Sequence, residues 1–211
     1  MILNFFNDPT TLIISAVIMI MALMFHNIFQ AWVASRYGDN GPRFAGYLRF
    51  DPQQHLEPFG VLFLFLLGFG WPKPIPVDSR SYRGRGRQEA LVWYAGPLAY
   101  LIVGFVSALL GAVILAAGGG IQLYRAFLVS SSIATLHAVI NIFPVYPLDG
   151  AKAMLAWGNA DVRRMIQQLA SFGLLGFILV FFVLQFLGVT GALQRLFFQL
   201  YQTIIALIPG L

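Results

Sequence analysis

The sequence predicts an all-α polytopic membrane protein, and three observations carry that prediction. Of its 211 residues 59% are hydrophobic and only 10% charged, against about 25% charged in a soluble domain. Several apolar runs reach the roughly 20 residues a helix needs to cross a hydrocarbon core. The polar stretches between them are too short to fold alone, so the chain reads as one integral membrane domain over 1–211. The lack of cysteine excludes a disulfide framework and a thiolate metal site. The net charge of +5 calls for no nucleic-acid partner, because juxtamembrane lysine and arginine account for it.

The first span covers about residues 10–35. It lacks a basic leader and a small-residue cleavage site, so it reads as retained. The polar turn Arg36-Tyr37-Gly38-Asp39-Asn40-Gly41-Pro42 ends it, and the mixed stretch from Arg43 to Gly60 reads as a hairpin. Val61 to Phe69 is apolar but too short to cross, and glycine and proline bracket it, which points to a re-entrant piece. A basic loop, Lys73 to Arg87, leads to the second span at Leu91–Ala117, and Gly118-Gly119-Gly120 turns the chain into the third at Ile121–Phe143. After Pro144-Val145-Tyr146-Pro147-Leu148-Asp149-Gly150 and a short amphipathic piece, Leu169–Leu187 reads as a fourth span. Gly191–Ile208 gathers Gln194, Arg195, Gln199, Gln202 and Thr203 on one face, the pattern of a helix lying in the interface.

Charge bias sets the expected topology. If Val61–Phe69 does not cross, the basic residues at 36, 43, 49, 73, 80, 83, 85, 87, 152, 163 and 164 share one side, leaving Arg125 and Arg195 opposite. The expectation is a multi-pass protein of the cell membrane, its N-terminus external and its first-helix end and Asp149 loop both cytoplasmic.

An ionisable group inside an apolar span invites a functional reading. Helical spacing puts His26 and Gln30 one turn apart on one face. Asp149 is the acid that closes a long apolar span, in a proline-rich turn on the same expected side. Together His26 and Asp149 offer zinc one nitrogen and one oxygen. The plainer readings are a histidine bonded to a neighbouring backbone, an aspartate capping the next helix, and Asn27 and Gln30 as interhelical glue. His55 reads as solvated, and Gly104, Gly111, Gly173 and Gly176 as sites of close helix packing.

Five motifs in order then give a family resemblance over about residues 20–155. FHNIFQAWVASRYGD (Phe25–Asp39) is similar to H-E-x-x-H-A-x-x-A-x-x-x-G-D, and DPQQHLEPFG (Asp51–Gly60) to D-P-x-x-H-x-D-P-x-G. GWPKPIPV (Gly70–Val77) resembles G-W-A-K-P-V-P-V, AGPLAY (Ala95–Tyr100) resembles A-G-P-x-A-N, and NIFPVYPLDG (Asn141–Gly150) matches N-x-x-P-x-x-P-L-D-G. These resemble the site-2 protease family of intramembrane zinc metalloproteases, in a compact form without PDZ or CBS domains. The resemblance implies a three-helix core with a membrane-associated hairpin and a re-entrant segment, plus one further span and a C-terminal amphipathic helix. It also implies cleavage of substrate helices within the bilayer, metal ligands at His26 and Asp149, and substrate-binding positions at Asn141, Pro144 and Tyr100.

The motifs depart from the family where its chemistry is done. Asn27 stands at the position of the general base and accepts no proton near neutral pH, a loss of about 10²–10⁴-fold. Gln30 stands at the second histidine and offers only a neutral amide, a poor partner for zinc. The reading that follows is a pseudoprotease: zinc occupancy in doubt, hydrolysis impaired or lost, and a groove kept for a single-pass membrane protein or peptide segment. One alternative is an active enzyme with a rebuilt zinc site of His26, His137 and Asp149 and Glu57 as base. A membrane scaffold or transport component is another, although no second half with paired broken helices is present.

Overall fold

The computed structural model describes residues 8–84 and 86–210, and every regular element in that range is helical. Arg85, one of the basic residues in the charge count, lies outside it. Helix α1 (Pro9–Arg36) starts where Asp8 accepts a hydrogen bond from the Thr11 N–H and Pro9 occupies the first turn. Two one-turn helices follow, α2 (Gly41–Phe44) and α3 (Pro52–His55), then α4 (Pro58–Leu67). The long helices α5 (Gly86–Ala116) and α6 (Ile121–Ile142) pack against each other and against α1. The chain continues through α7 (Asp149–Trp157), α8 (Ala160–Ser171), α9 (Gly173–Phe186) and α10 (Val189–Ala206).

Among the described residues three helices, α1, α5 and α6, are long and apolar enough to cross a membrane. Small residues line their contacts: Ala22, Ala31 and Ala34 on α1, Gly96, Ala99, Gly104 and Ala108 on α5, and Ala126, Ala134 and Ala138 on α6. Small side chains let backbones approach in lipid, where no hydrophobic force drives association. Gly104 is one such place, because a Cβ there would sit 2.8 Å from Thr135 Oγ1.

The hairpin expected over Arg43–Gly60 does not form. Proline at the first or second helical position winds Gly41–Phe44, Pro52–His55 and the start of α4 into turns, leaving one isolated bridge among the described residues, between Leu56 and Pro72. The short apolar piece is the helix α4, ten residues and about 15 Å long at 1.5 Å per residue, half a hydrocarbon core. Gly68 ends it in the left-handed region (φ +76°). The chain then runs back along α4 until Gly70 touches Gly60, where a Cβ on Gly60 would lie 1.9 Å from the Trp71 carbonyl oxygen. The segment therefore starts and finishes at the same end of α4.

The fourth apolar run is broken rather than continuous. α8 and α9 meet at 107°, with Gly173 (φ +57°) at the break in open space, so this glycine bends the chain instead of packing helices. α10 packs on the helix bundle. Its inner face docks on the bundle, with Gln194 Nε2 donating to the Ser132 carbonyl at 2.8 Å and Tyr201 Oη to the Leu101 carbonyl at 3.1 Å.

Candidate functional site

The site forms where α1 faces the start of α7 across α5. His26, Asn27 and Gln30 sit on the inner face of α1 and are each at most 4% exposed, and Asp149, the first residue of α7, is 3% exposed. His26 Nε2 and Asp149 Oδ2 are 2.7 Å apart, joining residues 123 positions apart in the chain. Lys152, one turn further along α7, places Nζ 3.4 Å from Asp149 Oδ1 and 4.5 Å above the Trp93 ring. Asp149 thus faces cationic or N–H-bearing groups from its own helix and from α1.

Backbone chemistry explains the two amides. Pro97 lies inside α5 and has no N–H, so the carbonyl four residues back, that of Trp93, loses its helical partner. Gln30 Nε2 donates to that carbonyl at 3.1 Å. Asn27 Nδ2 donates to the Lys73 carbonyl at 2.8 Å, which turns Asn27 Oδ1 toward His26 Nδ1 at 3.1 Å. Gly96 lies beneath: a Cβ there would meet His26 Nε2 at 2.3 Å, Gln30 Nε2 at 2.5 Å and Asp149 Oδ2 at 2.6 Å. Only glycine fits.

A cavity of about 290 Å³ opens beside this cluster. Its polar end holds His26, Asn27, Gln30 and Asp149, and its walls are apolar and aromatic, with Phe69, Trp71, Pro74, Tyr146, Leu148 and Phe177. The wall formed by residues 70–77 is pinned at several points. The Lys73 N–H donates to the His55 carbonyl at 2.7 Å, and Tyr47 Oη donates to the Pro74 carbonyl at 2.9 Å. Asp39 anchors the base of the loops, accepting from the Gly41 N–H (2.9 Å), the Asp78 N–H (2.9 Å) and Tyr82 Oη (3.0 Å). Burial pushes the Tyr82 phenol well above its ordinary pKa, and the bond to Asp39 adds to this, so Tyr82 remains a donor.

The other residues expected at the site are placed unevenly. Asn141 lines the cavity and donates Nδ2 to the His137 carbonyl at 2.9 Å. Pro144, at the exit from α6, is not among the lining residues. Tyr100 packs its ring against both His26 and His137, at centroid distances of 4.8 and 5.2 Å, and its buried hydroxyl has no hydrogen-bond partner among the described residues. His137 is held by backbone groups on both sides of its ring. Its Nδ1 bonds the Ile133 carbonyl at 2.8 Å and its Nε2 accepts from the Gly70 N–H at 3.1 Å, so both nitrogens are engaged. Glu57 caps α4 through the Gly60 N–H at 2.6 Å and does not line the cavity. His55, expected in solvent, is fully buried, with Nε2 bonded to the Arg49 carbonyl at 2.8 Å. Lys152, Gly96 and Trp93 were not among the candidates. The signals were present as a lysine at i+3 from Asp149, and as a glycine and an aromatic residue within one turn of Pro97.

The chain is 31% identical over 171 residues to the "Putative zinc metalloprotease YwhC" of Bacillus subtilis, which covers 77% of each chain. The chain belongs to the site-2 protease family. Two further relatives of that family are each named "Putative zinc metalloprotease Rip2". The one from Mycolicibacterium smegmatis is 30% identical over 86% of this chain and 68% of its own. The one from Mycobacterium tuberculosis is 28% identical over 78% of this chain and 64% of its own. No family model and no solved structure matches the chain. The relatives' names suggest zinc, but the donor set at the site-2 protease position does not fit a catalytic zinc ion. Such a site needs three lone-pair ligands and an open position. Here there are one imidazole and one carboxylate, and the third position presents an amide N–H held by the Trp93 carbonyl. Among the described residues no group of three His, Cys, Asp or Glu side chains is placed to hold a metal.

Proposed function

We propose that the protein is a non-hydrolysing member of the site-2 protease family that holds a transmembrane or peptide segment of a partner in the 290 Å³ cavity. The observation that carries this reading is Asn27. At the position of the family's base it has no carboxylate to take a proton, and its amide is occupied by the Lys73 carbonyl. The cavity wall beside it is ordered by the contacts to His55 and Tyr47 and is rich in aromatic and proline side chains, a surface suited to an apolar segment. The rebuilt enzyme has no comparable support, because His137 and Glu57 are both engaged elsewhere. The excess of basic residues in these loops supports the reading that the cavity mouth is cytoplasmic and the N-terminus external.

The test uses purified protein in detergent with a synthetic single-pass helix and a photo-crosslinking residue at Phe177. Crosslinking of intact helix without cleavage, with substoichiometric zinc by elemental analysis, is expected. Turnover of the helix together with one zinc per chain would overturn the reading.

A further inference from the structure

Two backbone carbonyls beside the buried polar centre have lost their usual donors. Trp93 O cannot be bonded by residue 97, because Pro97 has no N–H. Lys73 O lies in Pro72-Lys73-Pro74-Ile75-Pro76, where every second residue lacks an N–H. Buried carbonyls without donors are rare because they are costly. Each of these two is served by a side-chain amide from α1: Gln30 Nε2 to Trp93 O at 3.1 Å, and Asn27 Nδ2 to Lys73 O at 2.8 Å.

We propose that Asn27 and Gln30 are positioning residues whose amides staple the cavity walls together and take over the cross-linking that a metal ion supplies elsewhere in the family. Gln30 ties α1 to α5 at its proline, Asn27 ties α1 to the 70–77 wall, and the His26–Asp149 pair ties α1 to α7. The polar centre is inverted. Lone pairs converge on a cation in a zinc site, whereas here N–H groups and Lys152 surround the Asp149 carboxylate. Both substitutions are then gains of hydrogen-bond donors as well as losses of catalytic groups. A glutamate at position 27 would turn a carboxylate, without any N–H, toward the Lys73 carbonyl. The inference concerns what holds the cavity's walls and stands whether or not a partner helix binds there.

A double-mutant cycle on the full chain in detergent isolates the Gln30 staple. Gln30→Leu removes the donor to Trp93 O and is expected to lower the thermal midpoint by about 2–4 °C, the worth of one buried hydrogen bond in a chain of this size. Pro97→Ala returns an N–H to position 97, so in that background Gln30→Leu should lose less than half as much. If the leucine variant does not fold, the isosteric Gln30→Glu takes its place in the cycle.

The Asn27 staple is read by hydrogen exchange. Asn27→Asp keeps the shape and loses the N–H, and it should speed exchange of the Lys73 amide, bonded to His55 O at 2.7 Å, about tenfold or more. Exchange at Ala138, fully buried on α6, should stay unchanged. A strong chelator should leave the parent's midpoint where it is. Three results would each overturn the proposal: equal losses from the Gln30 change in both backgrounds, unchanged Lys73 exchange in Asn27→Asp, or a chelator-dependent fall in the midpoint.

Discussion

Gly96→Ala is the sharpest test of the packed polar centre. The new methyl carbon would begin 2.3 Å from His26 Nε2, 2.5 Å from Gln30 Nε2 and 2.6 Å from Asp149 Oδ2, where ordinary contact begins at 3.4 Å. The three atoms would each have to retreat by about 1 Å, on the scale of a hydrogen-bond breakage. None of them is the free end of a mobile chain, because His26 and Asp149 bond each other and Gln30 is bonded to Trp93. Overpacking costs about 1–3 kcal/mol, and parting the Asp149 carboxylate from a buried partner about 3–5 kcal/mol. Alanine gains only about 1 kcal/mol over glycine in a helix. The steric terms win, and the net loss is about 4 kcal/mol, a fall of roughly 8–16 °C in thermal midpoint for a chain of this length. Tryptophan fluorescence in detergent reports it, since Trp93 lies beneath Lys152 at the edge of the site. Gly191→Ala is the control. That glycine lies in α10 with only the tip of Arg195 nearby, at 3.6 Å, so the same substitution should be neutral or stabilising there. A Gly96→Ala midpoint within about 2 °C of the parent would refute the packed arrangement of His26, Gln30 and Asp149.

Two further substitutions probe the same construction at different depths. Asp149→Ala leaves His26 and Lys152 facing an apolar gap and should cost about 3–5 kcal/mol, as broken buried pairs do; a denaturation midpoint unchanged from the parent would show that the pair contributes nothing. Asp39→Ala deprives the Gly41 N–H, the Asp78 N–H and Tyr82 Oη of their shared acceptor, a loss of about 3 kcal/mol. Limited proteolysis should then cut between Asp78 and Tyr82 well before any cleavage in α5 or α6, and uniform cutting across the chain would count against a local role.

Much of the architecture is legible in the linear chain because bilayer thickness is a ruler. Runs of about 20 apolar residues become α1, α5 and α6, and the ten residues of α4 are as plainly too short. The stretch from Arg43 to Gly60 was harder to read, since its composition favours neither strand nor helix. Prolines at the first or second helical positions settle it as turns. The break at Gly173 is likewise hidden, because a glycine that bends a helix and one that lets two helices pack look alike in sequence.

At the site the division is as clear. His26 and Asp149 were visible because polar groups in apolar runs are few and costly, and the five ordered motifs named the family that the relatives confirm. That Asn27 and Gln30 bear amides could also be read directly, since residue identity alone shows that an amide accepts no proton near neutral pH. What those amides do instead depended on which carbonyls they face across the bundle. That Pro97 leaves Trp93 O open to Gln30, that Asn27 reaches Lys73 O, and that His137 and Glu57 are engaged elsewhere are facts of distance between residues remote in the chain. Hydrogen bonds reach only about 3 Å, so only the packing of α1 against α5, α7 and the 70–77 loop could decide them.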